Sequence, residues 1–180
     1  MKKKIIEDPG LSISLKKEFE MLVKQNMRRA YFSALGLLGS HDAAMDITQE
    51  AFIRAYRSFK NYNREKKFFT WYYRILKNLC LNFIRDGKGS KETEYIESRE
   101  GEHSPHKPDE VLENKELTEK IQEAINELEF DDREVIILKE FEDHTYKEMA
   151  EILNIPVGSV MSRLFYARKK LAEKLKRKVQ

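Results

Sequence analysis

Cysteine is nearly missing from these 180 residues: there is one, Cys80. A single thiol excludes an intrachain disulfide and any multi-cysteine zinc site, and Cys80 reads as a small apolar helix residue. Glycine and proline are also scarce, at 7 and 4, which favours helices over a turn-rich β fold. No apolar run approaches membrane-spanning length, and no apolar stretch follows the basic MKKK start, so the expected location is cytoplasmic. No internal repeat or low-complexity tract is visible. Chemistry is thinly supplied as well. His103 and His106 fall in a polar, acidic stretch with no third ligand, and no cofactor or metal is expected. Asp46 and Glu50 lie one helical turn apart. Without a third ligand, a histidine or a phosphate-cradling glycine loop, a hydrolase built on them is disfavoured.

Charge is abundant. Charged residues make up 36% of the chain and hydrophobic ones 41%, enough apolar material for small helical cores. The net charge of +3 is unevenly distributed. Residues 91–134 hold 16 acidic and 6 basic side chains, a net of −10, whereas 161–180 hold 8 basic and 1 acidic, a net of +7. Such partition suits basic surfaces aimed at a polyanion and separated by an acidic segment.

The periodicity predicts an all-α chain of two small helical domains joined by a flexible linker. Residues 1–14 form a loose leader. Apolar positions recur at three and four from 15 to 38, and Gly39-Ser40 ends that helix. A second helix starts near 40–42 and carries Ala44, Ile47, Ala51, Ala55 and Tyr56 inward. After a connector with Asn61 and Asn63 as turn residues, a third helix runs over 66–85, closing a bundle of three or four helices over 15–87. Periodicity is lost from 88 to 110, an acidic linker. The second domain, 111–180, opens with a helix marked by Leu117, Ile121, Ile125 and Leu128. Asp131 or Asp132 should cap the next helix, which runs through Val135, Ile136, Leu138 and Phe141. A short helix over 146–153, a turn at Asn154-Ile155-Pro156 and a final helix from 157 to about 178 complete it.

The stretch 66–85, KKFFTWYYRILKNLCLNFIR, has two stripes at about 100° per residue. Phe68, Tyr72, Ile75, Leu76, Leu79 and Phe83 form an ordinary core face. Lys67, Trp71, Arg74, Asn78, Asn82 and Arg85 form a narrow second stripe that contains the chain's only Trp. A flat ring for stacking, cations for phosphates and amides for base edges suit an opened nucleic-acid strand. Taken alone, the stripe is equally an amphipathic core helix whose polar face is basic. The second helix presents Asp46, Gln49, Glu50, Ile53, Arg54 and Arg57 on its other side, either a solvated face or a docking face for a protein.

Residues 145–171, TYKEMAEILNIPVGSVMSRLFYARKKL, have helix-turn-helix spacing. Met149, Ala150 and Leu153 point inward, Ile155 plugs the turn, and Val160 and Leu164 anchor the second helix. Pro156, Ser159, Ser162, Arg163 and Tyr166 are then left outward, at positions that enter a major groove. Arg163 suits guanine or phosphate, while Arg168, Lys169 and Lys170 suit the backbone. A helical hairpin that only packs is the plain alternative.

In combination these segments resemble the sigma factors of bacterial RNA polymerase, in particular the small two-domain extracytoplasmic-function (ECF) group, over about 19–171. DITQEAFIRAYRSF (46–59) is similar to the family's D-x-x-Q-E-x-F-x-x-A-W helix. FFTWYYRILKNLCLNFIR (68–85) is similar to its F-x-x-W-L-x-x-I-x-x-N-x-x-x-D-x-x-R helix. Residues 130–171 resemble its promoter-binding helix-turn-helix. Tyr56 stands where Trp is frequent, Asn82 where Asp is frequent, Asn154 at the usual turn glycine and Met161 at a common Lys. Leu128-Glu129-Phe130 lacks the usual Pro after Leu.

The resemblance implies a non-enzymatic initiation factor. Its 46–57 face would dock on the clamp coiled coil of the polymerase's largest subunit, with the flap of the second subunit as a further contact. Residues Lys66, Lys67, Trp71, Arg74, Lys77, Asn78, Asn82 and Arg85 would meet and help open the −10 element of promoter DNA. Pro156, Ser159, Ser162, Arg163, Tyr166, Arg168 and Lys169 would read the −35 duplex. The resemblance also implies an anti-sigma factor as partner, and a linker whose acidity suits a nucleic-acid channel. The competing reading is a stand-alone helix-turn-helix regulator with an N-terminal interaction domain, which would bind duplex DNA without polymerase.

Overall fold

The computed structural model describes residues 11–87 and 108–179. Most of the expected leader and linker, with His103 and His106, lies outside the described residues. The described residues are helical and contain no strand. No helix among them is long and apolar enough to cross a membrane.

Helix α1 spans Ile13–Leu38 and α2 spans His41–Ser58. Their two-residue connection does three jobs. Gly39 takes the left-handed conformation, φ 70°, and donates to the Leu35 carbonyl at 2.7 Å, closing α1. Ser40 then caps α2 by accepting from the Ala43 amide at 3.3 Å. Only a residue without Cβ enters that left-handed well at no steric cost. Buried Ala30 and Ala34 of α1 and Ala44, Ala51 and Ala55 of α2 let the two helices lie close. A single 3₁₀ turn, Phe59–Asn61, leads to α3, Phe68–Arg85.

Aromatics fill the bundle. Phe52 stacks on Tyr72 at 4.4 Å between ring centroids, and Phe19 meets Phe59 edge-on at 5.0 Å. The expected core face of α3 is buried or half-buried along its length.

The second half begins at Pro108 with α4, Pro108–Asn126. That start lies inside the stretch expected to be linker, because proline's fixed φ suits the first position of a helix. Helix α5, Phe130–Ile136, is preceded by Glu129 at the N-cap position. The expected caps Asp131 and Asp132 therefore fall in its first turn, where their charge still favours the helix N-terminus. The α5 path continues as a π-helical segment, Ile137–Phe141. The extra residue per turn rotates Phe141 out of the core to 64% exposure. Helix α6, Tyr146–Leu153, opens with a reciprocal capping box between Thr145 and Glu148. It closes on Asn154 at φ 56°, ψ 45°, so asparagine does serve at the turn glycine's position. Helix α7 spans Val157–Val179.

One buried cluster is continuous through both halves. They meet where α1 faces α4, α5 and the π segment, and where α3 faces α6. At Gly36 an added Cβ would sit 2.8 Å from Ile137 Cδ1, and at Gly39 it would sit 2.4 Å from the Asn126 side chain. Arg133 on α5 spans the junction. It donates to the Leu37 carbonyl of α1 as well as to the Asn126 and Leu128 carbonyls that end α4.

Candidate nucleic-acid and polymerase interfaces

Helix α3 buries more of its circumference than two stripes allow. Phe69, Tyr73 and Cys80 are buried as well, and Phe69 and Tyr73 turn toward the second domain. Phe69 stacks on His144 at 6.2 Å, with the Arg29 guanidinium 4.0 Å above its ring. Tyr73 lies beside Glu134 of α5. Sequence spacing offered a signal for this face, since Phe69, Tyr73 and Cys80 are spaced four and seven apart, but the adjacent core stripe masked it.

That face divides the expected −10 residues into two groups. Three cations point at the second domain. Lys67 pairs with Glu148, Arg74 Nη2 donates to the Glu151 carbonyl at 3.0 Å, and Lys77 Nζ lies 2.6 Å from Glu134 Oε2. Lys66, Asn78, Asn82 and Arg85 are exposed, with Arg85 3.6 Å from its neighbour Asp86. Trp71 belongs to neither group. Its ring is half-buried against Tyr62 at 5.1 Å, Phe68 at 5.7 Å and Phe59 at 6.4 Å. The free stacking platform expected from the sequence is therefore one exposed edge of an aromatic cluster. Tyr62, in the connector, pulls the ring inward, and its own hydroxyl donates to the Lys66 carbonyl at 2.6 Å.

The electrostatics of this junction are uneven. Lys67, with added hydrogen bonds from Thr145, draws the Glu148 carboxyl down to about 2. Burial pushes the Glu134 carboxyl up, against the pull of Lys77. Burial and the neighbouring Glu134 also push the Tyr73 phenol far up. Neither Tyr73 Oη nor Glu134 Oε1 has a partner in hydrogen-bonding geometry. Burial and the Arg29 guanidinium lower His144, against the pull of Glu142 and Glu148.

In the helix-turn-helix, Met149, Ile152, Val160, Leu164 and Ala167 form the buried seam. Pro156, Ser159, Ser162, Tyr166, Arg168 and Lys169 are exposed as expected. Arg163 is half-buried and held by Asp131 at 3.2 Å. Arg168 is held by Glu140, at 2.6 Å from Nη2, and Lys170 by Asp132. The residues that sequence reasoning missed are Met161 and Phe165, exposed at 52% and 64%. With Val160, Leu164 and Ala167 buried, the direction opposite them on α7 passes through Ser162, Phe165 and Lys169. A half-turn from the anchors Val160 and Leu164 would have found Phe165.

The α2 face is simpler. Asp46, Gln49, Arg54 and Arg57 are exposed and Glu50 and Ile53 half-buried, so the six share one outer surface of the first domain. Arg54 Nε and Glu50 pair at 2.8 Å across one turn. Those two charges brace each other and leave Asp46 and Arg57 at the ends of the stripe.

Residues 22–89 match the family described as Sigma-70 region 2, and residues 118–171 match Sigma-70, region 4. The chain is 33% identical to the RNA polymerase sigma-H factor of Pseudomonas aeruginosa, over 89% of this chain and 87% of the relative. It is 36% identical to the ECF RNA polymerase sigma factor SigW of Bacillus subtilis, over 78% and 79%. It is 31% identical to the ECF RNA polymerase sigma-E factor of Escherichia coli K12, over 88% and 87%. Its fold is similar to that of the sigma factor RpoE in complex with the anti-sigma factor NepR from Bartonella quintana, with a TM-score of 0.67, 24% identity and coverage of 89% and 98%. It is also similar to CnrH in complex with the cytosolic domain of CnrY, with a TM-score of 0.67, 20% identity and coverage of 90% of each.

Proposed function

The chain belongs to the ECF sigma factors, non-enzymatic transcription initiation factors that direct bacterial RNA polymerase, and from that premise we propose how its surfaces divide the work. Helix α7 reads the −35 element as duplex. Ser162 and Phe165 face the groove, Pro156, Ser159 and Tyr166 lie alongside, and Arg168 and Lys169 approach phosphates. Arg163 is available to base or phosphate once it leaves Asp131. Helix α3 meets the −10 element. Lys66, Lys67, Arg74, Lys77 and Arg85 hold phosphates, Asn78 and Asn82 reach base edges, and the Trp71 edge replaces stacking lost when the strands part. The Asp46–Arg57 stripe of α2 docks on the clamp coiled coil of the polymerase's largest subunit, and the second domain meets the flap of the second subunit. An anti-sigma factor is the expected inhibitor, as one structure of like fold is a complex with one.

The observation that carries this reading is the outward face of α7. It combines exposed serines, cations and aromatic rings around a helix-turn-helix whose buried seam is complete without them. The test is transcription in vitro with core polymerase and this protein on a promoter library. Start sites that depend on the protein are expected, with shared sequence near −35 and −10. Tight, specific duplex binding by the protein alone, with no dependent start sites, would identify a stand-alone regulator instead.

A further inference from the structure

We propose that the joint between the two domains is opened by protons: the His144 ring holds Arg29 of α1 only while uncharged, so mild acid parts the halves. Arg29 grips the second domain twice. Its Nε pairs with the Glu142 carboxylate, and its Nη2 meets His144 Nε2. A guanidinium can only donate, so Nε2 accepts through its lone pair and the ring's one proton sits on Nδ1. That nitrogen faces Glu148 Oε2 at 3.6 Å. The ring is buried and stacks on Phe69 of α3, which the same guanidinium covers, so α1, α3 and the second domain meet around one imidazole. A proton added at Nε2 turns the acceptor into a donor and sets two cations in contact.

The neighbouring acids are already committed. Beyond the π segment, Glu142 gives one oxygen to Arg29 and the other to Ser33. On α6, Glu148 gives one oxygen to Lys67 of α3 and the other to Thr145. Lys139, 3.5 Å from exposed Asp143, donates to the His144 carbonyl and adds a further positive charge. Burial, then the Arg29 charge, hold the ring below its ordinary 6.5 in the closed form, and Glu142 and Glu148 offset part of this. Opening returns the ring to water and to that ordinary value. The open form then binds more protons than the closed one, so the ring's support for closure is whole above about pH 6.5 and is lost beneath it. Two other acids of the joint do not imitate this. Glu148 is lowered from 4.5, so its window lies beneath that value. Glu134, raised by burial, favours closure as pH falls.

The test is X-ray scattering by the full chain, with circular dichroism to follow helicity. A ring that titrates only in the open form raises the open-to-closed ratio about tenfold between about pH 7.5 and about pH 5.5. The radius of gyration should therefore grow at the lower pH while helicity holds. His144→Gln keeps an acceptor for Arg29 but takes no proton, and His144→Leu keeps an apolar group against Phe69. Each should scatter alike at the two pH values. His41→Gln, at an exposed site, and the pair His103→Gln/His106→Gln should expand as wild type does. In wild type the His144 ring, followed by its NMR shift, should titrate below 6.5. Wild-type scattering that ignores pH overturns the proposal, as does expansion that survives in either folded His144 variant or is lost with another histidine. If both His144 variants lose helicity, the wild-type ring decides: a midpoint at or above 6.5 overturns the proposal, and a lower one shared with the expansion upholds it. DNA and polymerase enter none of these readings, so the promoter surfaces assigned above stand or fall separately.

Discussion

Lys77 Nζ lies 2.6 Å from Glu134 Oε2, joining a largely covered lysine of α3 to a carboxylate with no solvent contact in the other domain. Removing the lysine strands that carboxylate. A buried charge stripped of its partner usually costs about 3–5 kcal/mol. Here the molecule has an escape, because separating the domains returns Glu134 to water. Lys77→Ala is therefore expected to open the protein rather than unfold it. Its radius of gyration should rise while helicity and the main thermal transition stay near wild type. The paired change Lys77→Met/Glu134→Leu, apolar on both sides, should stay closed.

Trp71→Ala is expected to abolish strand opening in holoenzyme, read by permanganate reactivity of −10 thymines, while −35 binding persists. The half-buried packing on Tyr62 and Phe68 adds a second effect, a loss of about 2 kcal/mol from the first domain. Phe in the same place should retain most of both.

Phe165 is expected to read thymine methyl groups, the apolar feature that the major groove presents. Replacing thymine by uracil removes one methyl, worth about 0.8 kcal/mol when buried, or about fourfold in affinity. Wild-type holoenzyme should lose that factor at one or more −35 positions, and Phe165→Ser should lose nothing further there. Lys169→Ala, by contrast, should weaken all sequences alike and flatten the salt dependence by about one phosphate contact.

The Glu148 carboxyl is drawn to about 2 by Lys67 and then Thr145, with His144 Nδ1 3.6 Å away. Its ordinary value is 4.5, so the folded chain binds fewer protons than the unfolded chain between those limits. The stabilisation is whole above pH 4.5 and drains away as pH falls toward 2. Solvent around this partly exposed pair keeps the contribution small. Thermal melts across that window should show a shallower acid slope for Glu148→Gln than for wild type.

Burial holds the Cys80 thiol up at about 12, with Glu134 nearby adding to the effect. At pH 8 the native protein should be silent to a disulfide-exchange reagent, because almost no thiolate is present. Reaction should appear at the denaturant concentration where the first domain melts.

Helix positions were legible wherever a cap or a break is local. Gly39-Ser40, Thr145 with Glu148, and Asn154 act within three residues of themselves, and each lies where the spacing put it. The α2 stripe and the anchors of α7 follow from period alone. The closed junction was not legible, because its contacts join residues 57 to 115 positions apart and leave no periodic trace. Glu134 illustrates the difficulty. In sequence it is one more acid in a highly acidic run, and nothing local distinguishes a solvated glutamate from one sealed against a second domain. The helical angle of Trp71 places it on the polar stripe and holds no trace of Tyr62, which reaches it from the connector. Phe165 carries no local mark either: it lies between Ser162 and Tyr166, and only the burial of Val160, Leu164 and Ala167 fixes the direction opposite them.

The chain has few glycines, yet two of them, Gly36 and Gly39, stand where α1 meets the second domain, and a methyl at either would collide with Ile137 or Asn126. The first domain therefore carries a mould of the second on its own surface. That imprint lies at the end of α1, where Ile137 and the Asn126 side chain occupy the space a methyl would need. Gly39 is also demanded by its own left-handed turn, but Gly36 sits within α1 and its bareness answers to Ile137 alone, so one hydrogen atom in place of a methyl records on the first domain the shape of the second.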